Sequence, residues 1–478
     1  MQKWEDIPED EREFQTLLME IYAGFLEHTD AQYGRIVDEL ENLGIKDNTL
    51  IIYINGDNGS SAEGIRGSIS ELLAQNSMPS TTKQQMEVLD RDYGGLDALG
   101  GLLLESMYHS GWAWAGSTPF RSTKLVAAHF GGTRNPMVIS WPAKIKHDTK
   151  VRSQFTHVND IAPTIYDILG ITPPDFYNGV AQDKMDGVSF ADTFDDADAK
   201  GKKTTQYFEV MGSRGVYKNG WFTGTFGPRI PWDPTASKLK GWDPNKDVWE
   251  LYDINEDFSQ AKNLAKENPE KLQEMKNVFL VEAAQNKVFP IGGSLYAIAY
   301  HPEEVKASTL KEWNLYEGMT RIPESQAPKF NSGFSTYATI DAVLPENANG
   351  VLFSLGGISA GFTVFMENGV LKAEYNAMTL NRYKVSSAEK IPAGDVKIEV
   401  IVKAKEKKLM APSVVTLIVN SKQVGEVTAE TTVPAVFTAA ETFDVGMDTG
   451  SAVALEYHDK VPFKFNGKIE KLNIKYID

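Results

Sequence analysis

Cysteine is absent from all 478 residues. That single absence excludes disulfides, thiolate metal ligands and a cysteine nucleophile. Positive charge is scarce: 48 Lys and Arg stand against 65 Asp and Glu, a net charge of −17 at pH 7. Such a balance argues against a nucleic-acid surface and against anchoring on anionic lipid. A small anionic substrate stays open, because a local cation or metal inverts the field inside one pocket. Long apolar runs are lacking too; none approaches the roughly 18 residues that would span a bilayer. The opening stretch MQKWEDIPEDEREF has no basic segment leading into an apolar one, so it does not read as a signal peptide. A soluble chain is expected, in the cytoplasm or the periplasm, with neither favoured. There is no internal repeat and no low-complexity tract.

What is present is an ordinary globular composition, 42% hydrophobic and 24% charged, with length for about three domains. From about Asp10 to Leu43 apolar residues recur at helical spacing, through Leu18, Ile21, Tyr22, Phe25, Ile36, Val37 and Leu40, and Gly44 follows as a stop. The run from Leu50 to Ile54 reads as a buried strand, and a helix feeding a strand is a step of an α/β fold. Ser60 to about Thr118 reads as a long, partly helical excursion. A second buried strand is expected from Met137 to Trp141, between Pro136 and Pro142. HVNDIAPTIYDILGI then predicts a helix with Pro163 in its first turn and Gly170 closing it. Strands near TQYFEVM and WELYDI and a helix from about Pro269 to Ala284 complete this part.

The pattern changes after about Phe289. Beyond about Phe330 it alternates strictly, with Val396, Ile398, Val400 and Val402 on one face and Lys397, Glu399 and Lys403 between them. FTVFMENGVLKAEY carries an Asn368-Gly369 hairpin turn. The predicted division is therefore an α/β portion over 1–290, a linker or crossing segment over 291–330, and an all-β sandwich over 331–478. Tyr375, Tyr383 and Tyr457 are candidates for an exposed aromatic platform on the sandwich.

The first strand delivers a Gly-Asp-Asn-Gly turn, Gly56 to Gly59. Ligands of open α/β sheets bind at strand C-terminal ends. Asp57 and Asn58 offer a charged and a neutral oxygen on adjacent residues, which suits a hard divalent cation. The same tetrapeptide is also ordinary turn chemistry.

The order YAGFLEHTDAQYGRIVDELENLGIKDNTLIIYINGDNG resembles the sulfatase family, of the alkaline-phosphatase-like superfamily. STPFRSTK, GGTRNPMVISWPAKI, HVNDIAPTIYDILGI and WELYDI followed by NLA resemble successive landmarks of that family's C-terminal half. Together they cover about residues 15 to 290, and the resemblance is strongest to large bacterial arylsulfatases with an extra C-terminal β-domain. It implies an alkaline-phosphatase-like α/β fold followed by a β-sandwich, and metal-assisted hydrolysis of sulfate esters. It also implies Asp57 and Asn58 as calcium ligands and Lys124 as the contact to the sulfate group. Calcium and an ammonium would clamp the ester and stabilise charge developing on its oxygens.

The family's formylglycine, made from a Cys or Ser in C/S-x-P-x-R, lies in its N-terminal half with a further aspartate pair. This chain starts where that half should already be complete. The expectation is a C-terminal part of an arylsulfatase, inactive alone, with a sulfate-ester small molecule and an N-terminal sulfatase half as partners. One string, Ser117-Thr118-Pro119-Phe120-Arg121, matches the motif. It is rejected as the nucleophile, because in the family this stretch is the approach to the sulfate-binding lysine. His129 is expected in a loop or the core, one residue further from Lys124 than the family histidine before the GG pair. His157 is expected to cap or pack; Trp112 and Trp114 are candidates for a pocket wall or for core. Two alternatives stay open: a phosphate or phosphonate ester hydrolase of the same superfamily, and a non-catalytic chain whose sandwich binds glycans or a partner.

Overall fold

The computed structural model describes residues 1–56, 58–145, 150–233, 242–291 and 310–477. It opens with α1 (Arg12–Asn42), which leads to β1 (Ile51–Ile54). β1 pairs antiparallel with β2 (Met137–Ser140), Tyr53 opposite Val138. Both strands are only half-covered, whereas the sequence predicts buried ones. Tyr33 of α1 packs on Tyr53 at 4.7 Å, but Val138 is 63% exposed. Between them the chain forms α2 (Thr82–Asp92) and α3 (Ser110–Ser117). Thr81 and Gln84 start α2 with a reciprocal capping box. After β2 comes α4 (Ile161–Leu169), closed as expected by Gly170 at φ +64°. Among the described residues no helix is long and apolar enough to cross a membrane.

A small hairpin, β3 (Phe176–Tyr177) and β4 (Val180–Ala181), precedes a four-stranded antiparallel sheet. That sheet is β5 (Thr205–Val210), β6 (Ser213–Lys218), β7 (Trp221–Thr225) and β8 (Trp249–Asp253). Only the outer strands are legible in the sequence; β6 and β7 carry glycines and polar residues that blur the alternation. α5 (Pro269–Gln285) buries Met275, Phe279 and Ala283 against Val216 and Leu251. Phe130, Tyr217, Phe222 and Tyr252 form a second apolar cluster, tying the loop before β2 to this sheet.

The rest is a sandwich of two six-stranded antiparallel sheets. Its strands are β9 (Glu312–Leu315), β10 (Ile322–Pro323), β11 (Thr336–Leu344), β12 (Gly350–Gly356), β13 (Gly361–Glu367) and β14 (Val370–Ala377). They continue as β15 (Asn381–Ser386), β16 (Gly394–Ala404), β17 (Ser413–Val419), β18 (Lys422–Ala429), β19 (Thr442–Val445) and β20 (Lys468–Tyr476). One sheet runs β10-β19-β12-β13-β14-β15 and the other β18-β17-β16-β11-β20-β9. Val396, Ile398, Val400 and Val402 all face inward, as their alternation predicts. Asn368 and Gly369 take φ +52° and +83° in the β13–β14 turn, where an asparagine-glycine pair costs least.

Three expectations change. First, the sandwich starts inside the segment read as linker: β9 pairs with β20 and β10 with β19. β9 is too short for its alternation to stand out. Second, the excursion after β1 belongs to the sandwich core, where Ile69, Leu73, Val88 and Leu89 pack with Phe353, Phe362 and Tyr375. The contact is also polar, since the Asn76 side chain donates to the Val436 carbonyl and accepts from the Ala435 and Val436 amides. Third, Tyr375 and Tyr457 are fully buried. Tyr375 accepts from the Val433 amide, Tyr457 donates to Asp448, and Tyr383 accepts from Thr431. Tyr375 on β14 and Tyr457 on a 3-10 turn therefore serve the core and supply no sugar platform, while Tyr383 is half-buried.

Candidate functional site

The turn after β1 is shaped by two glycines, Gly56 and Gly59, at φ +79° and +81°. Gly59 is also pressed against the chain, since a Cβ there would lie 1.9 Å from the Gly131 carbonyl oxygen. Only glycine meets both demands. Its amide donates to Asn135 Oδ1 at 3.3 Å, pinning the turn to the loop before β2. Asn58 is exposed on this turn. Asp57 lies outside the described residues.

Lys124 is brought to the same place by its own backbone: its amide donates to the Ser60 carbonyl at 3.0 Å. The lysine loop turns sharply on both sides, with Ser122 at φ +65° and Leu125 at φ +74°. Lys124 Nζ donates to Glu63 Oε2 at 3.0 Å, and the Ser61 hydroxyl donates to the same oxygen at 3.3 Å. The other oxygen of Glu63 receives Arg229 Nη2 at 3.3 Å. Arg229 follows β7, so residues from three stretches of the chain converge on one carboxylate.

Behind the lysine loop lies a buried polar chain. His129 Nδ1 sits 2.7 Å from Ser122 Oγ, and its Nε2 sits 2.7 Å from Glu250 Oε2. Tyr252 donates to the same Glu250 oxygen at 2.9 Å, and Arg121 donates to the Tyr252 hydroxyl at 2.7 Å. Burial pushes the Glu250 carboxyl up, but the hydrogen bonds from His129 and Tyr252 and the Arg121 charge outweigh it and hold it below its ordinary range. Ser122 and His129 are 2% and 3% exposed. A serine closed off from solvent in this way braces the loop against β8 and is not a nucleophile. His129 is thus the core residue expected, though its hydrogen bonds go to a chain invisible in the sequence.

Ser117 is buried at the C-terminal end of α3 and donates to the Ala113 carbonyl. Its motif match is therefore incidental. His157 caps the turn before α4, accepting from the Asn159 amide, and burial lowers its basicity. His109 caps α3 in the same way, and burial lowers it to about 4, so it is neutral at pH 7. Trp112 is half-buried, packs on the exposed Trp4 and donates to the Gln15 carbonyl. Trp114 meets Trp232 edge-on at 5.3 Å. Glu63, Arg229 and Glu250 were not found by sequence reasoning. Glu63 stands six positions after Asp57, too short a signal; Arg229, in GPRIPW, carries no motif at all.

Among the described residues no group of three or more His, Cys, Asp or Glu could hold a metal. Asp57 and Asn58 are hard oxygen donors of the kind calcium takes, but two side chains fall well short of its usual 6–8 ligands. The described residues therefore do not fit a complete calcium site.

Known proteins add the family. A sulfatase family model matches residues 3–171, and a model described as N-sulphoglucosamine sulphohydrolase, C-terminal, matches residues 129–285. An uncharacterised sulfatase of Schizosaccharomyces pombe is 30% identical over 291 residues, covering 60% of this chain and 47% of that protein. An arylsulfatase of Klebsiella aerogenes is 25% identical over 171 residues, covering 36% of this chain and 33% of that one. The chain thus spans half or less of the length of these curated relatives. A Pseudoalteromonas sulfatase structure aligns at a TM-score of 0.35 and 16% identity, over 55% of this chain and 42% of that one. Two overlapping matches run in order from residue 3 to residue 285, and on them the chain is a member of the sulfatase family.

Proposed function

We propose that this chain is the C-terminal part of an arylsulfatase-type sulfate ester hydrolase, in which Lys124 contacts the sulfate group and Asp57 and Asn58 ligate calcium. The observation that carries the reading is the hydrogen bond from the Lys124 amide to the Ser60 carbonyl, which fixes the lysine two residues beyond Asn58. A cation held there by its backbone is preorganised to stabilise negative charge on a departing ester oxygen. Asp57 and Asn58 would hold calcium together with ligands from outside this chain, and the ion would supply Lewis-acid polarisation of the sulfate oxygens. The remaining calcium ligands and a formylglycine nucleophile come, in this reading, from the part of the relatives' length that the chain does not span.

Exposed apolar residues support such a partner. Phe25 and Ile36 on α1, Val138 on β2 and Leu169 on α4 are 65%, 62%, 63% and 61% exposed. An N-terminal sulfatase half would cover them.

The test is to express the chain joined to the reading frame that precedes the Met1 codon and to follow sulfate release from 4-nitrophenyl sulfate. The joined protein is expected to turn over in a calcium-dependent way, and the chain by itself not. Lys124→Ala in the joined protein should lower kcat/KM by about 100-fold or more. Turnover by the isolated chain, or a Lys124→Ala variant of undiminished activity, overturns the reading.

A further inference from the structure

Glu63 is held by two cations, one on each oxygen: Lys124 Nζ at 3.0 Å on Oε2 and Arg229 Nη2 at 3.3 Å on Oε1. We propose that Arg229 is the second cation of the sulfate-binding site, and that Glu63 is an internal carboxylate that occupies the Lys124–Arg229 pair until a sulfate ester takes its place. The proposal rests on the reading of Lys124 given above and assigns the substrate-anion contacts of that same site.

The chemistry matches on three counts. The oxygens of a carboxylate and of a sulfate group are spaced alike, so a pair of cations set to bridge one can bridge the other. Charge counts the same way: the triplet carries two positive charges and one negative, and a monoanionic sulfate ester brings it to neutrality. Burial is intermediate, with side-chain exposures of 15% for Glu63, 32% for Lys124 and 21% for Arg229. The cations are thus reachable by a small solute yet partly removed from water, where charge-assisted hydrogen bonds are strongest.

Arg229 is preset for this task. Its Nη1 lies 2.7 Å from Met211 Sδ, which fixes the direction of the guanidinium. It comes from the loop after β7 and the lysine from the loop after α3, so two separate stretches of the chain supply the cations that meet on Glu63. Three residues on, Trp232 meets Trp114 at 5.3 Å and Phe226 at 5.8 Å, both edge-on. An aromatic cluster of this kind suits the apolar part of an aryl or sugar sulfate. Trp114 and Trp232 also report binding through their fluorescence.

The experiment titrates the full chain with sodium sulfate and with phenyl sulfate, at constant ionic strength made up with chloride, following tryptophan emission. Circular dichroism and a melting curve confirm that each variant is folded. A saturable change is expected, weakened about tenfold or more in Arg229→Gln and in Lys124→Gln, and tightened about tenfold in Glu63→Gln. Arg229→Lys keeps the charge and should bind between Arg229→Gln and the unaltered chain, which keeps the test usable if the glutamine variant misfolds. Lys475→Gln, far away on β20, should change nothing. If Arg229→Gln titrates like the unaltered chain while Lys124→Gln loses binding, the role of Arg229 is overturned and the reading of Lys124 stands. If Lys124→Gln binds normally, that underlying reading falls. If neither the unaltered chain nor Glu63→Gln gives a saturable response, the proposal is overturned outright.

Discussion

The sandwich and the β1–β2 region bury their apolar residues to very different degrees. In the sandwich, Phe353, Phe362, Phe437, Phe443 and Tyr375 are all fully buried. Beside the β1–β2 pair, Phe25, Ile36, Leu43 and Val138 are each more than 60% exposed. The sandwich closes on itself as a two-layer solution to hiding apolar faces. Around β1 and β2 the same kind of residues stay exposed, although the β5–β8 sheet of the α/β part is covered by α5. Yet the border between the regions does not follow the chain, because Phe14 and Leu18 of α1 lie in the sandwich core. A helix that begins inside one core and continues exposed joins the two regions.

The contrast can be attacked at its strongest point. Arg382 is a buried cation paired with buried Glu374 at 2.7 Å, and it also donates to the Val453 and Ile358 carbonyls and to the Tyr93 hydroxyl. Arg382→Met leaves the buried Glu374 charge with only the half-exposed Lys384, 3.7 Å away, and should cost about 3 kcal/mol in urea denaturation. A loss below about 1 kcal/mol would mean that the sandwich does not depend on this pair. Of similar size, Phe14→Ala opens a cavity where α1 enters the sandwich core and should cost about 3 kcal/mol. If only the α/β part melts earlier, the two regions are less unified than their shared core implies.

A smaller effect is expected from pH. Burial pushes the Asp448 carboxyl up to about 7, against the hydrogen bonds from Tyr457 and the Val453 amide. Its folded value lies above its unfolded one, so folding favours the protonated form. That contribution is full below the ordinary carboxylate range and is lost as pH rises toward 7. Between pH 4 and pH 8 the sandwich should therefore lose stability from this group, read as a falling urea midpoint. Asp448→Asn, whose Oδ1 can accept the same two hydrogen bonds, should flatten the dependence without abolishing it. Glu324, raised to about 7 by burial, remains and acts in the same direction. The smallest change is expected on the open side: Phe25→Ser and Ile36→Ser should alter stability by no more than about 0.5 kcal/mol. They should reduce self-association in sedimentation velocity. A large loss of stability in either would show that this face is already covered.

Local signals made much of the fold legible. The α1 period, the Gly170 cap on α4, the Asn368-Gly369 turn and the inward set on β16 each follow from neighbours in sequence. Lys124 and Asn58 could be named because the motifs around them are continuous. Glu63, Arg229 and Glu250 could not, since their contacts join residues 61, 166 and 121 positions apart. The same limit hid the core role of residues 67–108. Their apolar period shows a face to be buried but not what buries it, and the answer lies about 300 positions downstream.

The position of β20 has a consequence for how the molecule is made. This last strand sits between β11 and β9, bonded to both. Until it has been made, β9 has no place in its sheet and β11 has one open edge. Ile69, Leu73 and Leu89, synthesised hundreds of residues earlier, wait for the same core. Folding of the sandwich therefore waits until β20 has been made, and the nascent chain carries its apolar excursion unprotected until then.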